Sequence, residues 1–105
     1  MASIMRLASG PSRVQGLTIA RVDGGTAEAT WTPSPETGVT RYVVAYGNAA
    51  APQTRRMVVT SPRVSLLGLG LRQGDTLHVA VKAVSRQGLE SWDWAKAQRG
   101  LDERR

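Results

Sequence analysis

Residues 74–84, Gly74-Asp-Thr-Leu-His-Val-Ala-Val-Lys-Ala-Val84, decide the fold. Taken two at a time, they put Leu77, Val79, Val81 and Ala83 on one side and His78, Ala80 and Lys82 on the other. Alternation with β-branched residues on one side is the pattern of a half-buried strand. Turn-forming residues bound it at both ends, Leu69-Gly-Leu-Arg-Gln before and Ser85-Arg-Gln-Gly88 after. The rest of the chain is therefore expected to supply sheet that covers the apolar side.

The same pattern recurs on either side. Pro11 is tolerated at the start of an edge strand, where its missing donor needs no partner, and Val14, Leu17 and Ile19 form the buried side of a first strand. Asp23-Gly-Gly-Thr26 is a turn, followed by a second strand, Ala27-Glu-Ala-Thr-Trp31. Thr32-Pro-Ser-Pro-Glu-Thr-Gly38 carries two prolines and must be a loop. Val39–Tyr46 is a third strand, with Tyr42, Val44 and Tyr46 on one face. Arg55–Thr60 is a fourth, with Met57 and Val59 inward, and Val64, Leu66 and Leu69 point inward from a fifth. After the sixth strand, Glu90-Ser-Trp-Asp-Trp-Ala-Lys96 is expected to be the seventh. No segment holds a helical period for more than two turns. Seven short strands with regularly spaced turns predict an all-β, seven-stranded antiparallel β-sandwich of immunoglobulin-like type. Residues 11–97 are expected to fold, residues 1–10 to be a leader or linker, and residues 98–105 to be a charged tail.

Composition narrows the chemistry. A chain of 105 residues suits one domain, large enough for a core without staples. It has no cysteine, which excludes disulfides and thiolate metal sites. With three Trp, two Tyr and no Phe, each ring matters to the core. The formal charge is +6, and twelve of the fourteen basic residues are arginine. Arg13, Arg21, Arg41, Arg63, Arg72 and Arg86 fall in different segments, so the charge reads as a solvated surface rather than a nucleic-acid patch. No apolar run approaches the ~20 residues of a membrane-spanning helix. The short apolar stretch before Pro11 is interrupted by Arg6, unlike a signal peptide.

In this order and spacing the residues resemble a fibronectin type III domain. The resemblance covers residues 11–97 and rests on Pro11 with Leu17, Trp31, Tyr42-Val-Val-Ala-Tyr46, Leu66 with Leu69 and Gly74, Val79-x-Val81-x-Ala83-Val84, and Gly88 with Ser91. It implies that Trp31 fills the middle of the core against Tyr42, and the core-defining set becomes Trp31, Tyr42, Leu66, Leu69, Leu77, Val79 and Val81. The Arg-Gly-Asp signal of adhesive members is absent from the loop Ser85-Arg-Gln-Gly-Leu-Glu90. Ser91-Trp-Asp-Trp-Ala95 resembles the Trp-Ser-x-Trp-Ser box of cytokine-receptor domains, but differs in spacing and lacks the second serine.

Nothing in the chain predicts catalysis, a cofactor or a metal. His78 is the lone histidine and has no dyad partner at a suitable spacing. The expected function is a non-catalytic interaction or spacer module, monomeric, within a larger bacterial and extracellular or cell-surface protein. Its partner would be a protein or a neighbouring domain, with no nucleic acid and no membrane. Domains appended to secreted hydrolases such as di-zinc aminopeptidases are similar. The candidate interaction surface is Trp92, Trp94, Lys82 and Arg86. On one strand the two indoles would share a side, either filling the core or stacking outward with those cations. Outward indoles could also offer a flat platform for a sugar, which gives the alternative of a carbohydrate- or polymer-binding accessory domain.

The family usually has tyrosine where this chain has Leu77, its hydroxyl bonding back to the preceding loop. Leu77→Tyr is expected to leave the urea denaturation midpoint unchanged or to add about 1 kcal/mol of stability. A clear loss would show that the sixth strand is misaligned.

Overall fold

A short alternating strand cannot bury its apolar side alone, and this chain satisfies seven of them by antiparallel pairing. The computed structural model describes residues 11, 13–23, 25–35, 38–72, 74–91 and 93–100. The strands are β1 (Thr18–Ala20), β2 (Ala27–Thr30), β3 (Val39–Gly47), β4 (Arg55–Val59), β5 (Arg63–Leu66), β6 (Thr76–Ser85) and β7 (Ala95–Gly100). One sheet has the order β1-β2-β5 and the other β4-β3-β6-β7. The result is a seven-stranded antiparallel sandwich with β3 and β6 at the centre of the larger sheet.

The core lies where the inward sides meet. Ala27, Ala29 and Trp31 come from the smaller layer, and Tyr42, Val44, Leu77, Val79 and Val81 from the larger. Trp31 and Tyr42 meet edge to face, centroids 5.3 Å apart and planes at 69°. The Trp31 backbone N–H donates to Pro62 O, and Tyr42 Oη accepts the Ser34 N–H from the β2–β3 connection, so both residues are anchored to backbone. The buried indole Nε1 of Trp31 has no hydrogen-bond partner among the described residues. Leu66 is buried and Leu69 packs half-buried against the cluster. Val22 and Leu71, which carry no alternation signal, are also in the core. Leu77 is fully buried beside a cleft of about 190 Å³ that it lines with Tyr46, Leu69 and Leu71.

A register shift between Val39 and Arg41 turns Val39 toward the core while Arg41, opposite Val84, faces outward. Two arginines close the open sides of the sandwich. Arg55, on edge strand β4, donates from Nη1 to Gly68 O at 2.7 Å, just beyond β5. Arg99, on edge strand β7, donates to Ile19 O of β1 at 2.8 Å. Both cations therefore tie one layer to the backbone of the other.

Three expectations need correction. The seventh strand does not run from Glu90 to Lys96; it begins at Ala95 and continues to Gly100. Its reach also carries regular structure past residue 97, so Gln98–Gly100 belong to the sheet rather than to a tail. Residues 101–105, like 1–10, lie outside the described residues. Finally, β6 is not half-buried: Ala80 and Val84, on its outward side, are 4% and 3% exposed, because β6 is a central strand and side chains from its neighbours fold over it.

Trp31→Ala is expected to cost about 3–5 kcal/mol in urea denaturation. Trp31→Phe should cost clearly less, since it removes the unpartnered donor along with part of the ring. Arg99→Ala is expected to lower stability by about 1 kcal/mol through the lost interlayer hydrogen bond.

Candidate interaction surface

The outward side of the four-stranded sheet can be built row by row from its register. From β6 it takes His78, Ala80, Lys82 and Val84, and from β3 their partners Gly47, Ala45, Val43 and Arg41. From β4 it takes Arg56 opposite Ala45 and Val58 opposite Val43, and from β7 Lys96 opposite Ala80 and Gln98 opposite His78. Two alanines thus face each other at its middle, a shallow trough between long side chains. Ala45 is fully buried although it points outward.

Trp94 reaches this trough through an irregularity at the start of β7. Ser91 sits opposite Ala83, donating its N–H to Ala83 O at 2.9 Å, whereas Ala95 sits opposite Val81. Three residues therefore span an interval in which β6 has one, Lys82. The buried Ser91 hydroxyl holds the departure point, accepting the Ala83 N–H at 3.2 Å and donating to Asp93 O at 3.3 Å. Beyond it the Trp94 ring lies half-buried, with Lys82 Nζ 4.7 Å and Arg56 Cζ 5.5 Å from its centroid. Cations over an indole are attracted by the negative face of its π-system. Glu90, opposite Val84, places Oε1 3.5 Å from Lys82 Nζ on the same side. Lys82 is thus held between a carboxylate and a ring.

The structure brings Lys82 and Trp94 together but not Arg86. Arg86 is exposed in the β6–β7 turn, where its backbone N–H donates to Gly38 O. The second cation on the ring is instead Arg56. Trp92 lies outside the described residues. Since Trp94 precedes β7, the expected strand carrying two indoles on one side does not form there. Sequence reasoning missed Arg56, and it noted Glu90 and Ser91 without giving either a part in the surface. The available signal for Arg56 was its outward parity with Val58 once Met57 and Val59 are inward.

Two clefts flank β7. One, of about 450 Å³, has His78, Ala80, Lys96 and Gln98 along its floor, with Pro52 and Gln53 as the far wall. The other, of about 750 Å³, separates residues 13–17 from residues 93–96. Lys96 lines both. Among the described residues, no group of three His, Asp or Glu side chains is placed to hold a metal ion, and no helix is long and apolar enough to cross a membrane.

No family model and no curated protein matches the sequence. Solved structures do match by shape. The chain superposes on chicken contactin-1 FN1–FN3 with a TM-score of 0.74 at 15% identity, covering 90% of this chain and 33% of that one. With the human collagen XX FN3 domain the TM-score is 0.64 at 19% identity, covering 87% and 99% of the two chains. The fold is that of a fibronectin type III domain. A similar match, TM-score 0.69 at 19% identity, is found in the Clostridium perfringens spore cortex lytic enzyme SleM, where 90% of this chain covers 29% of that one. The chain therefore spans about a third or less of the contactin and SleM chains, and nearly all of a single FN3 domain.

Trp94→Ala is expected to cost about 1–2 kcal/mol in urea denaturation, since it uncovers the alanine trough and removes two cation contacts. A double-mutant cycle with Lys82→Ala should give a coupling of about 0.5–1 kcal/mol. A coupling near zero would show that the stack contributes nothing.

Proposed function

We propose that this fibronectin type III domain is a non-catalytic docking module whose outer four-stranded face engages an acidic segment of a neighbouring domain or partner protein. The observation that carries this reading is the composition of that face. Arg41, Arg56, Lys82 and Lys96 share that face with a half-buried indole, over which Lys82 and Arg56 lie, and Val58 beside them is 59% exposed. Against them stand Glu90, already paired with Lys82, and the exposed Asp93. Aromatic and arginine side chains framed by charge suit a protein contact, and the excess of cations selects for carboxylates.

The parent is a larger bacterial and extracellular protein in this reading. The match within a clostridial lytic enzyme supports a place beside a hydrolase, and the match to the extracellular region of rat CD45 supports exposure outside the cell. A sugar platform on Trp94 is the second reading; it is disfavoured because a stacking pyranose would compete with Lys82 and Arg56 for the ring.

The test is a two-dimensional amide NMR titration with a hexaglutamate peptide, beside depletion assays on insoluble cellulose, chitin and peptidoglycan. The expected result is a shift of the Trp94 indole resonance and of outward residues on β3, β6 and β7. It should weaken with salt and disappear in Arg56→Glu/Lys96→Glu. Absence of any shift overturns the reading. So does depletion by a polysaccharide that Trp94→Ala abolishes, which would install the carbohydrate-binding function instead.

A further inference from the structure

Strand β7 is hydrogen-bonded to β6 on one side only, so alternate residues direct their N–H and C=O groups away from the sheet. Such an edge is ordinarily blunted or covered. At its far end this one is covered, because Arg99 reaches from β7 to Ile19 O and draws β1 alongside. At its near end it borders the cleft of about 750 Å³, with residues 13–17 as the opposite wall.

Both walls are fixed independently. On one side, Gln15 O accepts the Thr32 N–H at 2.9 Å, and Gly16, at φ 71°, packs so closely on Thr32 that a Cβ there would collide with its hydroxyl. That segment is committed to the smaller sheet and does not pair with β7. On the other side, Ser91 pins the chain to Ala83 and the ladder with β6 resumes at Ala95. The gap between them is therefore a feature of the two sheets' separate registers. Its unpaired strand edge suits an extended chain.

We propose that the acidic segment binds by adding as a fifth strand to the four-stranded sheet, along β7 from Ala95 to Gln98. This rests on the docking role proposed above and supplies its geometry. Residues of an added strand alternate between faces. Those on the outer face stand beside Lys96 and Gln98, with Lys82 and Arg56 behind. Those on the inner face stand beside Ala95 at the mouth of the core, facing Val14 and Leu17 across the cleft, and then beside the half-buried Ala97. Opposite charges directly across a strand pair are favourable, so carboxylates belong on the outer face. Small apolar side chains belong on the inner one. The ligand is thus an extended peptide alternating acidic and β-branched residues. Main-chain hydrogen bonds provide affinity and the alternation provides specificity.

The experiment uses the full 105-residue chain and a capped octapeptide, Ser-Glu-Val-Glu-Val-Glu-Val-Ser, followed by NMR and amide hydrogen exchange. The expected result is slowed exchange of β7 amides with a shift of the Trp94 indole. A peptide of the same composition in blocks, three glutamates followed by three valines, should bind at least about tenfold more weakly. Two N-methylated versions discriminate further. Methylating the glutamate amides or the valine amides removes donors from one edge of the peptide only, so one version should lose binding and the other keep it. Lys96→Glu, on the exposed rim, should weaken the octapeptide without changing the fold. If the Trp94 indole shifts but β7 exchange is unaltered, or both methylated peptides bind equally, strand addition is overturned and surface docking stands. If no acidic peptide perturbs Trp94, both are overturned.

Discussion

Two rings, one from each sheet, set the spacing of this sandwich. Trp31 at the end of β2 and Tyr42 on β3 meet edge to face at 5.3 Å, Trp31 tied to backbone just before β5 and Tyr42 to the connection between β2 and β3. In a chain without phenylalanine the other core positions are alanine, valine, leucine and isoleucine. None of these reaches as far across a gap of about 10 Å between sheets. The pair is accommodated even though the indole Nε1 has no partner among the described residues. A buried donor in that state is unfavourable by about 1–3 kcal/mol, and the burial of so large a ring offsets it. The remaining contacts fill the space that these two rings define.

The basic balance is partly structural. Arg55 and Arg99 occupy the two edge strands of the larger sheet; Arg99 donates to a carbonyl of β1 and Arg55 to one just beyond β5. A guanidinium suits this work because its long stem spans the layers and its fork is preorganised to donate. Arg56 and Lys82 are drawn to Trp94. What looks in one dimension like charge scattered over unrelated segments becomes two interlayer ties and one cation-flanked face.

How far the sequence could be read depended on whether the deciding interaction was local. The sandwich follows from alternation in β6 and β3, and alternation is a property of neighbouring residues. The start of β7 is different. Glu90-Ser-Trp-Asp-Trp alternates well enough to pass for a strand, yet the buried hydroxyl of Ser91 takes the Ala83 N–H and the ladder resumes only at Ala95. That choice depends on β6, which sequence spacing cannot show. Burial of Ala80 on an outward position was illegible for a similar reason, since the long side chains around it include Arg56 from β4 and Trp94 from beyond the turn. Lys82 and Trp94 were legible as candidates by type and parity. Arg56 and Glu90, which complete their surroundings, required the pairing of strands.

The irregularity before β7 displaces its register on β6 by two positions, from Ser91 opposite Ala83 to Ala95 opposite Val81. An even displacement keeps Ala95 and Ala97 toward the interior and Lys96 and Gln98 toward water, whereas an odd one would invert the whole strand. Evolution of this segment is consequently constrained by parity. Deletions or insertions between Ser91 and Ala95 should survive in pairs and be purged singly, so homologues ought to differ there by even steps in length.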